Sequence, residues 1–291
     1  LANPNLRMEH SNIVNPRYEY YTEKPDRTGV WPACEKADYI RDLNGELIAV
    51  KRAGYYAVIY VGKPAPSKHY ISGRESFRTV NDGENSGGGF NLRKITPYLG
   101  GGLSMFWTPS YGSALLATNW APTTHNGLIA LQADGKRYWE DYFATRYVID
   151  QKAALLTVTG RIENLPIAYT RQYRFAADDI EIHVTLRAEQ AVSLTSLTEN
   201  IPFAEGVMKA RGAELSLTGE KDGQAQTDRF TLRDKQNAGV EVLLDGPRTL
   251  RIQRNGLRNN DLQIGRVEVL LPAQLAAGQQ VELLYHVRPL R

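Results

Sequence analysis

Most of the residues whose types could do chemistry in this 291-residue chain lie in one stretch, Gly87 to Leu131, dense in Gly, Trp, Asn and His. His125, in TTHNG, suits general acid or base work, because imidazole titrates near neutrality and the segment reads as a loop between strands. An ordinary loop histidine is the plainer reading. His69 and Tyr70, in the proline-bounded KPAPSKHY, form a second acid/base pair, with surface decoration as its alternative. Trp107, Tyr111 and Trp120 flank the ALLATN segment. Aromatic planes of this kind stack on the apolar face of a pyranose, while Asn91, Arg93, Asn119 and Asn126 offer polar groups to its hydroxyls. The two tryptophans also read as core. The interval from Trp107 to Trp120 is odd, so a two-residue period does not put them on one face.

The glycines and the remaining polar residues each have a plainer structural reading beside any chemical one. Gly87–Gly89 and Gly100–Gly102 are not followed by GKS or GKT and do not sit between a strand and a helix, so they are not phosphate loops. They read as tight turns and bulges, or as a smooth surface beside a ligand. His183 and His286 fall on polar strand positions, and the chain has neither HxH nor HExxH, so no metal site is expected. Asp178–Asp179 reads as turn chemistry. Glu140 and Asp141, beside Trp139, are the carboxylates to consider for a glycosidase, which needs two across a cleft. Arg146, Arg161, Arg171, Arg174 and Arg187 recur along successive strands. They form either a basic stripe for an acidic polysaccharide or cross-strand partners of Glu163, Asp178 and Glu181. The lone Cys34 excludes an internal disulfide.

The elements that must carry these residues are strands. From residue 46 onward, short β-branched or aromatic runs alternate with turn signals and no capped helical pattern occurs, so the expected fold is all-β, a large antiparallel β-sandwich. ELIAVKR and YYAVIYVG read as a hairpin about Gly54. In IAYTRQYRF, Ile167, Tyr169, Arg171, Tyr173 and Phe175 share a face; in IEIHVTLRA, Ile180, Ile182, Val184 and Leu186 do. KDGQ, DGP and AAGQQ read as turns. Residues 1–45 read as an irregular arm or linker, with one short helix allowed over Trp31–Leu43, and residues 46–291 as the sandwich domain. A net charge of +3, from 35 basic and 32 acidic residues mixed along the chain, gives no basic block for nucleic acid. No apolar run nears the ~20 residues a membrane helix needs. The start, LANPNLRMEH, lacks the pattern of a signal peptide and begins at Leu, which reads as a piece of a longer protein.

The run VTGRIENLPIAYTRQYRFAADDIEIHVTLRAEQ, followed by ENIPF, resembles the core of the galactose-mutarotase-like super-sandwich. Such sandwiches form the carboxy-terminal part of heparinase II/III-like polysaccharide lyases, behind a helical domain. The resemblance implies a carbohydrate-associated domain, extracellular or periplasmic, with a polysaccharide or oligosaccharide as partner, acidic sugars included, and no cofactor. In the lyases a base removes the proton α to a uronate carboxylate, and Tyr or His protonates the leaving oxygen. On that analogy His125, His69 and Tyr70 are the catalytic candidates. The contrasting expectations are glycan binding without complete catalytic machinery, a lyase or mutarotase-like enzyme, and a purely structural or protein-binding sandwich.

Overall fold

A computed structural model of the chain describes residues 38–43, 45, 47–61, 100–116, 126–140, 144–205, 209–211, 223–233, 238–259 and 262–290. Among them there are nineteen strands and no helix. The first seven are β1 (Tyr39–Leu43), β2 (Leu47–Lys51), β3 (Tyr56–Tyr60), β4 (Leu103–Thr108), β5 (Gly112–Leu116), β6 (Gly127–Leu131) and β7 (Arg137–Trp139). Then come β8 (Arg146–Asp150), β9 (Leu155–Arg161), β10 (Ile167–Phe175), β11 (Ile180–Ala188), β12 (Val192–Ser193) and β13 (Ser196–Glu205). The last six are β14 (Lys209–Arg211), β15 (Gly223–Arg233), β16 (Gly239–Asn259), β17 (Leu262–Leu271), β18 (Gln274–Leu275) and β19 (Gln280–Pro289).

Seventeen of these strands belong to one hydrogen-bonded sheet, which curls into two facing layers. The first layer runs β8, β9, β10, β11, β19, all antiparallel. The second runs from β17 through β13 to β6 and β5, which share one edge of β13, and on through β4, β3, β2 and β1. β16 joins the two layers. Its Val240–Leu244 part pairs with β19, and its Leu250–Asn259 part with β17. The DGP turn expected between two strands is instead a bend inside β16, because β15 pairs along both halves and holds the chain extended. The matching irregularity in β15, between Thr227 and Arg229, lets the pair turn the corner.

Alternation fixes which side of each strand meets the core. Ile167, Tyr169, Arg171, Tyr173 and Phe175 of β10 all point inward and are buried, as do Ile180, Ile182, Val184 and Leu186 of β11. Facing them are Ile48, Val50, Ala57, Ile59, Phe106, Leu197 and Phe203 of the second layer. Each such aliphatic or aromatic side chain contributes about 1.5–3 kcal/mol on burial. Tyr55 ties the layers together at one end. Its ring stacks on Phe106 at 5.1 Å, and its hydroxyl donates to the Ala176 carbonyl at 3.0 Å.

The β2–β3 hairpin forms as expected. Over Tyr39–Leu43 the chain is strand where a helix was allowed, because each of these residues finds a partner on β2. Regular structure therefore starts before residue 46. The segment AELSLTG, which also reads as a strand, lies outside the described residues.

Candidate functional site

The most concentrated polar chemistry among the described residues lies between the layers. Arg171, from the middle of β10, is 0% exposed and reaches across to two carboxylates. Its Nη2 lies 2.8 Å from Glu140 Oε1 and 2.8 Å from Glu199 Oε2. Glu199 comes from the inward face of β13, and its second oxygen accepts the Tyr285 hydroxyl at 3.1 Å. Glu140 Oε1 also accepts the Leu128 amide at 3.0 Å. The Tyr169 ring lies 5.6 Å from the guanidinium carbon, a cation–π distance.

Burial governs the protonation of this cluster. Desolvation pushes the Glu140 carboxyl up to about 7, against the pull of Arg171 and with the help of Glu199. Desolvation also raises the Tyr169, Tyr173 and Tyr285 hydroxyls well above their ordinary value, so they act as hydrogen-bond donors. Two of them hold glycine backbone: Tyr169 donates to the Gly100 carbonyl at 2.8 Å and Tyr173 to that of Gly101 at 2.6 Å. Asn200 Nδ2 donates to the Gly127 carbonyl at 2.9 Å. Gly100 and Gly101 have positive φ, and side chains of Glu140 and Val158 fill the space their Cβ atoms would need. A cavity of about 10 Å³, the size of roughly one water, lies beside Glu199, Asn200, Gly127 and Tyr285. The cluster thus fixes the described ends of the Gly-rich stretch, beneath the surface.

A second arrangement lies on the outer face of the second layer. Cross-strand register places Tyr39, Lys51, Tyr56 and Trp107 in one row over β1 to β4. The alternate residues Ile40, Val50, Ala57 and Phe106 are in the core, so this row faces outward, half-buried. Tyr39 and Tyr56 meet edge to face at 6.5 Å. On the same side of β16, β17, β13 and β6, Arg251, Glu268, Asn200 and Gly127 form another row, buried except at Arg251. Both Glu268 oxygens are taken: Oε2 accepts Arg251 Nε and Oε1 accepts Arg266 Nε, each at 2.6 Å. Arg266 is held below the ordinary guanidinium value by desolvation, against Glu268 and with a push from Arg137 and Arg251. β4 and β17 are three inter-strand steps apart, roughly 15 Å, and Phe106, next to Trp107, is level with Gly265, three residues along β17 from Glu268.

Of the residues singled out in the sequence, Trp107 lies on this outer face. Tyr111, in the β4–β5 turn, packs against the core instead, its amide bonded to Thr108 Oγ1 at 3.2 Å. Asn126 is buried against Gly102, with neither amide atom paired to protein, and does not join Trp107. His69, Tyr70, Asn91, Arg93, Asn119, Trp120 and His125 lie outside the described residues. Arg146, Arg161, Arg174 and Arg187 lie at exposed positions on the outer face of the first layer, with Arg161 and Arg187 level across Ala168. Arg171 is interior, while Arg161 pairs with Glu189 at 2.7 Å and Arg174 with Glu181 at 3.4 Å. His286 and Asp179 form a polar pair at 2.8 Å. The sequence reading missed Tyr56, Glu199, Arg251, Arg266 and Glu268. Only the alternation of β3, β13 and β17 signals them, and alternation gives a face without a partner.

No protein-family model matches the sequence, and no curated protein matches it. Solved structures do match. A heparinase III shares the fold at a TM-score of 0.56 and 8% identity, over 96% of this chain and 39% of that one. The 4-alpha-glucanotransferase from Thermococcus litoralis does so at 0.53 and 12% identity, over 88% of this chain and 40% of that one. The chain thus spans about two fifths of each. These likenesses show the fold alone, the large antiparallel β-sandwich expected from the sequence.

Proposed function

We propose that this chain is a carbohydrate-binding β-sandwich domain of a polysaccharide-processing protein, and that it holds glycan on the outer face of its second layer. The observation that carries the reading is the outward row of Tyr39, Tyr56 and Trp107. Outward rings with a polar side chain, Lys51, in the same row suit a sugar, with apolar contact for the ring faces and a donor for the hydroxyls. The shared fold with a heparinase III and a glucanotransferase supports the same class of ligand. On this reading the interior Glu140–Arg171–Glu199 cluster is a support, because a group with no exposure cannot touch a polysaccharide.

Tryptophan fluorescence tests the proposal. Titration with oligosaccharides should shift emission in the intact chain, and Trp107→Phe should remove most of the shift while keeping a stacking ring. A full shift retained in that variant would place the sugar elsewhere.

A further inference from the structure

We propose that β8, the edge strand of the first layer, docks a second copy of this chain, pairing antiparallel with that copy's β8 about a two-fold axis at Val148.

The backbone comes first. Among the described residues β8 pairs with β9 and with no other strand. An open strand edge presents amides and carbonyls in the spacing of a ladder, a template for another strand. Side chains hold this edge ready against β1 of the other layer. The Tyr147 hydroxyl donates to Asp42 Oδ2 at 2.8 Å, and Gln151 Nε2 donates to the Ile40 carbonyl at 3.1 Å. Tyr147 and Ile149 pack inward on the core, so Arg146, Val148 and Asp150 face out. Val148 is 70% exposed, more than any other large apolar side chain among the described residues.

The outward residues are self-complementary. With Val148 opposite its own copy, Arg146 of each chain falls opposite Asp150 of the other, so two ion pairs flank an apolar contact. On the inward side Tyr147 falls opposite Ile149. Moving the axis by one residue sets a charge against Val148, and moving it by two sets Arg146 or Asp150 against itself. The pairing holds whichever alternate set of amides faces the open edge, because an antiparallel ladder has two-fold axes at both its hydrogen-bonded and its non-hydrogen-bonded pairs. β1, at the edge of the second layer, lacks this symmetry: pairing about its centre would set Arg41 against Arg41. The axis stands perpendicular to the first layer, so neither copy covers the other's second layer or its aromatic row. One five-residue strand pair buries less than the roughly 1,200 Å² of a stable complex, so the dimer forms reversibly with concentration.

Sedimentation equilibrium of the intact chain, from about 1 μM to about 500 μM, tests the proposal. The average mass should rise from monomer towards dimer and stop there. Val148→Lys sets like charges against each other at the axis and should weaken association about tenfold. Arg146→Asp and Asp150→Arg should each weaken it too, since each brings like charges together in both flanking pairs. An equimolar mixture of those two variants should regain association, because opposite charges then meet in both pairs. A monomer at every concentration, or growth past the dimer, overturns the inference. So does unchanged association in a Val148→Lys protein of normal melting temperature, or a mixture no more associated than its two components.

Discussion

Arg171 sits where the two layers touch, and its removal should be felt by the whole fold. Arg171→Met leaves the Glu140 and Glu199 carboxyls buried without their cation, a change that typically costs about 3–5 kcal/mol. Urea unfolding should register that loss. Replacing all three residues by apolar side chains of similar volume should recover much of it, since a buried ion group contributes little net stability over good packing. The pH dependence has a definite sign. The Glu140 carboxyl, ordinarily near 4.5, is raised to about 7 in the folded protein. Folding therefore takes up a proton between those values. Stability from this group is greatest below about 4.5, falls as pH rises towards 7, and is level above it. Glu140→Gln should flatten that part of the melting-temperature profile, and a decline of unchanged slope in the variant would assign it to another group.

At the level of elements, a glycine makes room for a large side chain on the neighbouring strand. A Cβ at Gly160 of β9 would lie 2.5 Å from the Tyr169 hydroxyl, with no positive φ to add strain. Gly160→Ala should therefore destabilise by about 1–3 kcal/mol, as overpacking does, and Tyr169→Phe in the same chain should relieve part of it. Additive losses in the double variant would contradict this. The period-two pattern made the inward face of β10 legible, Arg171 included, because alternation alone sets the face of a strand. It could not show that the arginine meets Glu140 and Glu199, which are brought to it by register and layer stacking across distant parts of the chain. The same limit hid the meeting of Tyr56 with Trp107, since pairing of β3 with β4 is not written in either strand. DGP misled for the opposite reason. Its local turn preference was overridden by the pairing of β15 with the strand on both sides of it.

Taken whole, the molecule is a curled sheet with two outer faces of different character. The first layer carries ion pairs such as Arg161–Glu189 and Arg174–Glu181. The second carries the half-buried aromatic row and the Arg251–Glu268–Arg266 group, in which Arg251 alone is part-exposed. Beneath it the Glu140–Arg171–Glu199 cluster and its tyrosines hold Gly100 and Gly101 in place, so the outer face rests on a rigid floor. The account stands on that division of labour between a binding face and a buried support. Its most direct test is affinity electrophoresis of the intact chain beside Trp107→Ala and Tyr56→Ala, with Tyr173→Phe as the interior control. The prediction is retardation by at least one polysaccharide that is lost in both outer-face variants and kept in the control. Retardation unchanged in Trp107→Ala and Tyr56→Ala would contradict it.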